Sequence, residues 1–428
     1  MITFLAGLDY NIIMSTFVFY LKDLVKTDRP HLCYAILLGV FSVSATLTGG
    51  FGGRYVDRTR NLKIYTNAVL ALILIGNLLY SVYLHPAFLI IGRLLAGVGD
   101  PFMSVCAGEL VRLYSREEAT SAIWVMTTAY AMGFTVGPAF GIIFKGVNFK
   151  IGSFIVTYLN FIGIFVAGVT FVTLVMSNML LPNKLLELKD LVKNMPEKSS
   201  KIANCDTDKK GLTRDEIVAP KENNNHVETL PTKQVFSNCI AMYSSFSLDM
   251  LFPLLVDDIL KWSQFALSAM LVTSSVSYFF ILCTLVKICT TDKRTYYTII
   301  FCLCCMLINF SVIFELKVLA RDVRRDIILM VGFVIAYTLV WLPIQVLLKS
   351  MVAKLIPPKI QSFSQGLIAG IMRLAMIIPA FTTPLLMPWI HIWALTLFVI
   401  VTINIMVFIM RRKSLANIRV ISVNNNKL

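Results

Sequence analysis

Apolar runs of about 20 residues, separated by short polar or basic breaks, recur along the whole chain. They occupy residues 2–21, 33–53, 64–84, 87–110, 121–144, 152–176, 235–256, 264–287, 296–316, 326–348, 362–387 and 389–410. At about 1.5 Å of rise per residue, each run is long enough to cross a hydrocarbon layer roughly 30 Å thick. The pattern predicts an all-α integral membrane protein with twelve transmembrane helices in two pseudo-symmetric six-helix bundles. The two bundles are expected at 1–176 and 235–410. Between them, residues 177–234 are rich in Lys, Asn, Asp and Glu and poor in aromatics, and include Asn223-Asn224-Asn225. Such a segment buries too little to order itself, so a largely disordered linker is expected there, followed at the far end by a polar tail over 411–428.

The two sets of spans echo one another. Leu8-Asp9 in the first span returns as Leu248-Asp249 in the seventh, and Pro138-Ala139-Phe140 in the fifth returns as Pro379-Ala380-Phe381 in the eleventh. Asp57-Arg58 has a degraded counterpart in Asp292-Lys293-Arg294. Matches at nearly one offset predict a duplicated six-helix unit with a site between the halves.

Composition supports the membrane assignment. Hydrophobic residues make up 57% of the chain and charged ones 15%, too few to cover a soluble surface. The net charge of +15 raises the question of nucleic acid, and its placement answers it. Of the 39 Lys and Arg, 27 lie in the linker, the tail and alternate loops, and 10 lie in the opposite loops. That bias reports topology, with both termini and the linker cytoplasmic, and nucleic-acid binding is not indicated. The nine cysteines form no Cys-x-x-Cys pair and the four histidines are scattered, so neither a metal nor another cofactor is expected. Met1 stands almost inside the first span, as expected of a short isoform or a clipped reading frame.

Three motifs sharpen the picture. Gly53-Arg54-Tyr55-Val56-Asp57-Arg58, with Arg60 and Lys63, sits between the second and third spans. It resembles the major facilitator superfamily signature Gly-x-x-x-Asp-Arg-x-Gly-Arg-Arg, with Arg60 where the second Gly belongs. Arg93, Gly97 and Gly99 in the fourth span match the family's Arg-x-x-x-Gly-x-Gly. Gly133, Gly137, Pro138 and Gly141 in the fifth match Gly-x-x-x-Gly-Pro-x-x-Gly. The resemblance implies a gating contact from Asp57 and Arg58 to the start of helix 11, where the helix dipole favours an anion. Positive-inside anchoring by the basic residues is the plainer reading. The glycines of the fifth span are expected to pack closely on a helix of the other half, with Pro138 supplying a bend.

Ionisable groups inside spans are costly and call for a partner or a function. Asp9, Arg93, Asp249 and Arg373 are such groups, and the resemblance places their helices around a central cavity. Substrate binding at Arg373 and proton uptake at the acids are expected, against the bland alternative of Asp–Arg pairs that only lock helices. Arg93, Gly97, Asp100 and Ser104 share a helical face, so an Arg93–Asp100 pair is a further alternative. Glu109, Asp257 and Asp258 are read as rim charges.

Ile75-Gly76-Asn77-Leu78-Leu79-Tyr80-Ser81 and Phe252-Pro253-Leu254-Leu255-Val256-Asp257-Asp258 are similar to the ceroid-lipofuscinosis-associated lysosomal branch of the superfamily, which implies a lysosomal or endosomal membrane. The reading is a secondary active transporter, not an enzyme. It would move a small anionic solute by alternating access, with proton coupling as the accompanying expectation. A chloride channel or leak pathway on the same scaffold, and a non-transporting membrane scaffold, stay open as alternatives. The partners expected are a small-molecule or ion substrate and membrane lipid, around a monomer.

Overall fold

The computed structural model describes residues 1–113, 116–181, 230–288, 292–319, 322–353 and 361–410. Among the described residues, twelve helical units follow the predicted spans in order. The first half holds α1 (Ile2–Met14, then Phe17–Phe19 and a π-helical turn Tyr20–Leu24), α2 (Pro30–Thr59), α3 (Leu62–Tyr80), α4 (Pro86–Gly97 and Phe102–Leu113), α5 (Arg116–Ile143) and α6 (Tyr158–Leu180). The second holds α7 (Leu230–Leu254 with a π-helical turn Leu255–Ile259), α8 (Gln264–Ile288), α9 (Asp292–Val318), α10 (Val323–Ala353), α11 (Gln361–Leu385) and α12 (Ile390–Met410). Among the described residues, eight helices are singly long and apolar enough to cross a membrane. The first span, bent by 50° between its two pieces, makes a ninth. Large apolar side chains such as Phe51, Phe171, Phe280 and Ile328 point outward, as lipid contact requires. Most of the linker lies outside the described residues. At its two ends, α6 runs on to Leu180 and α7 begins at Leu230.

Local chemistry explains where the elements depart from the predicted runs. The sixth span does not begin at 152. Asn148–Ile151 (β1) and Phe154–Thr157 (β2) pair antiparallel around Gly152, whose φ of 60° suits a tight two-residue hairpin turn. Thr157 and Asn160 then form a reciprocal capping box that starts α6 at Tyr158. The fourth span breaks over Val98–Pro101, because Pro101 has no N–H to return to the Gly97 carbonyl; the Asp100 N–H takes that carbonyl at 3.2 Å. The basic stretch after α2 is not a loop: the helix continues through Thr59, and only Arg60 and Asn61 separate α2 from α3.

Within the first half, α1 packs on α5, and α3 packs on α4 and α6. Within the second, α9 packs on α10 and α12, and α7 on α10, α11 and α12. The halves meet along α2–α11, the most extensive helix contact among the described residues, and along α5–α8. The second piece of α4 also reaches α11. Along the seam, Thr46 Oγ1 donates to the Gly370 carbonyl at 3.2 Å. Further along, the Phe381 ring sits where a side chain on Gly39 would be. At the end away from the α2–α3 turn, Lys22 on the α1 π turn bonds both Asp257 and Asp258 on the α7 π turn, the latter at 2.8 Å. The halves therefore touch along the α2–α11 seam and at the Lys22 end.

The two π turns also refine the repeat. Each is followed by a lysine in the left-handed region, Lys26 (φ 52°) and Lys261 (φ 58°). Measured from these turns, Asp9 lies about a turn and a half deeper in α1 than Asp249 does in α7, so the matched Leu-Asp pairs are not structurally equivalent.

Candidate substrate site

Arg373 projects from α11 into the seam, where its guanidinium forks onto the Asp100 carboxylate of the opposite half. Nε donates to Oδ2 at 2.5 Å and Nη2 to Oδ1. Both side chains are almost fully buried. The helix break at Val98–Pro101 turns Asp100 away from Arg93, so the Arg93–Asp100 pair expected from helical spacing does not form. Three aromatic rings surround the guanidinium, with centroids 5.6 Å (Tyr10), 6.0 Å (Phe41) and 5.5 Å (Phe246) from Cζ. A bidentate pair inside such a ring cage is the geometry by which Arg recognises a carboxylate away from water.

Tyr10 carries the contact onward. Its hydroxyl donates to Asp249 Oδ2 at 2.6 Å, and the Tyr337 hydroxyl donates to Asp249 Oδ1 at 2.7 Å. Asp249 on α7 is thus held by one phenol from each half. Arg93 lies 4.6 Å from the centroid of the same Phe41 ring and pairs with Asp9, Nη1 to Oδ2, at 3.4 Å. Asp9 Oδ1 is buried and has no hydrogen-bond partner among the described residues. The four predicted residues are therefore brought into one aromatic-lined network, but with partners that spacing alone does not give. Asp100, Tyr10, Tyr337 and Phe41 were missed as site residues. Tyr10 adjoins Asp9 in sequence and Asp100 lies in the Gly99-Asp100-Pro101 break, while Tyr337 and Phe41 have no sequence signal beyond being aromatic.

The gating motifs fall around this network. Gly53 is buried in α2, Asp57 is half-buried and Arg58 is exposed. The side chains of 361–369 at the start of α11 lie outside the described residues, and with them the expected contact from Asp57. Arg60 caps α2 in the left-handed conformation (φ 56°), its N–H bonding the Val56 carbonyl at 2.9 Å and its guanidinium 3.6 Å from Glu109. That conformation is the reason a glycine suits the position. Glu109 is buried, not a rim charge. Gly97 packs against α2 at Phe41, and Gly99 against Ile73 of α3.

Gly133 and Gly137 correct an expectation: they seat α1 of their own half, where a Cβ on Gly133 would overlap the Phe4 carbonyl. Only Gly141 lies towards the other half, at Gln264 and Ser268 of α8. Pro138 deprives the Phe134 carbonyl of its helical donor, and Asn11 Nδ2 supplies the replacement at 2.7 Å. Across the seam, Thr135 Oγ1 lies 3.0 Å from the Ser275 carbonyl.

The sequence profile of the Major Facilitator Superfamily matches residues 1–380. The chain belongs to the major facilitator superfamily. As a member it is a membrane transporter, not an enzyme. The D-xylose-proton symporter has the same superfamily fold, with a TM-score of 0.65 at 12% identity over 96% of this chain and 95% of that one. The human organic anion transporter MFSD10 (TETRAN) superposes with a TM-score of 0.62 at 12% identity, over 95% and 97% of the two chains. Nucleoside transporter NupG gives 0.60 at 11%, over 96% and 98%. Multidrug resistance protein 2 of Bacillus subtilis (strain 168) is 26% identical over 119 residues, 28% of this chain and 30% of that protein. The match therefore spans under a third of that relative. Superfamily membership carries a small-molecule substrate with it.

Proposed function

We propose that this superfamily member is a secondary active transporter that moves a small organic anion by alternating access, with protons carried on buried carboxylates. The observation that carries the reading is the Arg373–Asp100 fork across the seam. Separating the halves must break it, and the guanidinium so exposed is open to another carboxylate. A substrate anion on Arg373 displaces Asp100, and protonation of Asp100 releases Arg373 to receive it. Asp9 pairs with Arg93 in the same layer and keeps one buried oxygen without a hydrogen-bond partner among the described residues. The halves then rock about this layer, parting at the Lys22 end or at the α2–α3 turn end. The likeness in fold to the human organic anion transporter MFSD10 is consistent with the solute class.

The positive-inside bias supports cytoplasmic termini. The strings at Ile75–Ser81 and Phe252–Asp258 support residence in lysosomal or endosomal membranes.

The test is electrophysiology on solid-supported membranes with the purified protein in liposomes, perfusing chloride and small organic anions with and without a pH step. Transient, saturable currents that grow with an imposed pH gradient and vanish in Arg373→Ala support the proposal. Sustained, non-saturating chloride current refutes it in favour of a channel.

A further inference from the structure

Arg373 and Asp249 both belong to the second half, yet each spends a bond on the first. Asp100 gives Arg373 a carboxylate, and Tyr10 gives Asp249 a hydrogen-bond donor. The two bonds lie on either side of one tyrosine, since the Tyr10 ring faces Arg373 at 5.6 Å while its hydroxyl reaches Asp249. When the halves part, the described residues of the α7–α11 wall present the Arg373 guanidinium and the Asp249 carboxylate about a tyrosine apart. Tyr337 stays with the second half and keeps Asp249 oriented at 2.7 Å. The first-half groups are thus chemical surrogates, an anion for Arg373 and a hydrogen-bond donor (the Tyr10 O–H) for Asp249.

We infer that the transported solute is zwitterionic. Its carboxylate takes the place of Asp100 on Arg373, and its ammonium takes the place of the Tyr10 hydroxyl on Asp249, with the Tyr10, Phe246 and Phe41 rings lining the stem between them. A solute bearing only an anion leaves Asp249 without a donor from the substrate, and a desolvated carboxylate pays for each lost partner. An amphoteric solute satisfies both groups, each of its charges meeting an opposite charge on the wall. This inference rests on the anion reading of Arg373 and extends it to the second charge.

The experiment compares three matched series on the purified full-length protein: γ-aminobutyrate, 5-aminovalerate and 6-aminohexanoate; butyrate, valerate and hexanoate; and the corresponding linear amines. Ligand-induced shift of the melting temperature and uptake into proteoliposomes are measured for wild type and Asp249→Asn. At least one amino acid is expected to bind about tenfold or more tightly than its matched carboxylate and amine. In Asp249→Asn, the ratio of amino-acid to carboxylate affinity is expected to fall about tenfold. Wild-type protein that binds carboxylates as well as amino acids, or a ratio unmoved by the substitution, overturns the inference. If carboxylate binding still depends on Arg373 in that case, the anion reading survives. If neither series binds folded wild-type protein, both readings fall together. The wild-type panel decides the matter even if Asp249→Asn does not fold.

Discussion

Asp100→Asn removes one charge from the buried fork that bridges the halves, and the structure fixes the size of the effect. Both side chains are enclosed, 12% exposed for Arg373 and 13% for Asp100, so the pair belongs with buried ion pairs and not with solvated surface ones. Removing one member of such a pair costs about 3–5 kcal/mol. The amide keeps one neutral acceptor, and the rings of Tyr10, Phe41 and Phe246 still face the guanidinium, so the lower end, about 3 kcal/mol, applies. That cost falls on the closed arrangement alone, because both groups hydrate once the halves separate. The open population therefore rises about a hundredfold. The assay is the rate of maleimide labelling at Thr46→Cys, in a background with the native cysteines replaced. Thr46 lies on the seam against the Gly370 carbonyl, so labelling reports the open fraction. Asp100→Asn should accelerate it about a hundredfold, and Asp100→Asn with Arg373→Gln should return most of the way, since no unpaired charge remains buried. An unchanged labelling rate in the single variant, or a double variant as open as the single, refutes the assignment of the fork as a cross-half lock.

Arg60→Gly should raise thermal stability by up to about 1 kcal/mol, because it removes a side chain from a left-handed residue, less the loss of the exposed Arg60 guanidinium's 3.6 Å contact with the buried Glu109 carboxylate; a lowered melting temperature would show that the ion pair outweighs the backbone strain. Gly133→Ala should destabilise by about 2 kcal/mol or more, since its methyl overlaps the Phe4 carbonyl, whereas Gly168→Ala meets open space and should be neutral or stabilising. Equal melting temperatures for the two variants would contradict the α1–α5 packing. Asn11→Ala should cost about 1–3 kcal/mol by orphaning the Phe134 carbonyl, and clearly less in a Pro138→Ala background where the helix supplies its own donor; an additive double-variant cycle in thermal denaturation would refute that link.

Much of the architecture was legible because it depends on local properties. A run such as 296–316 or 389–410 is apolar over a bilayer's thickness, and no packing detail is needed to read it as a span. Asp9, Arg93, Asp249 and Arg373 stood out for the same reason, as charges where charge is expensive. Errors arose where short-range chemistry overrode hydrophobicity. The β-branched run Ile155-Val156-Thr157 is apolar enough to pass as a helix start, yet Gly152 folds it back as a hairpin. Pro101 breaks a run that hydropathy reads as continuous.

The chain by itself determined the number and order of the spans, the family signatures and the set of intramembrane charges, because hydrophobic length and charge cost are properties of a segment alone. Tertiary structure decided which charge meets which. Arg373 and Asp100 are separated by 273 residues, Tyr10 and Asp249 by 239, and Arg93 and Asp9 by 84. Such pairs form only when twelve helices have settled their rotations, and a single break at Pro101 is enough to send Asp100 to Arg373 instead of Arg93. A rotation of one helix by a fraction of a turn changes the partner without changing a residue of the pattern, and for that reason the pairing is not written in the spacing.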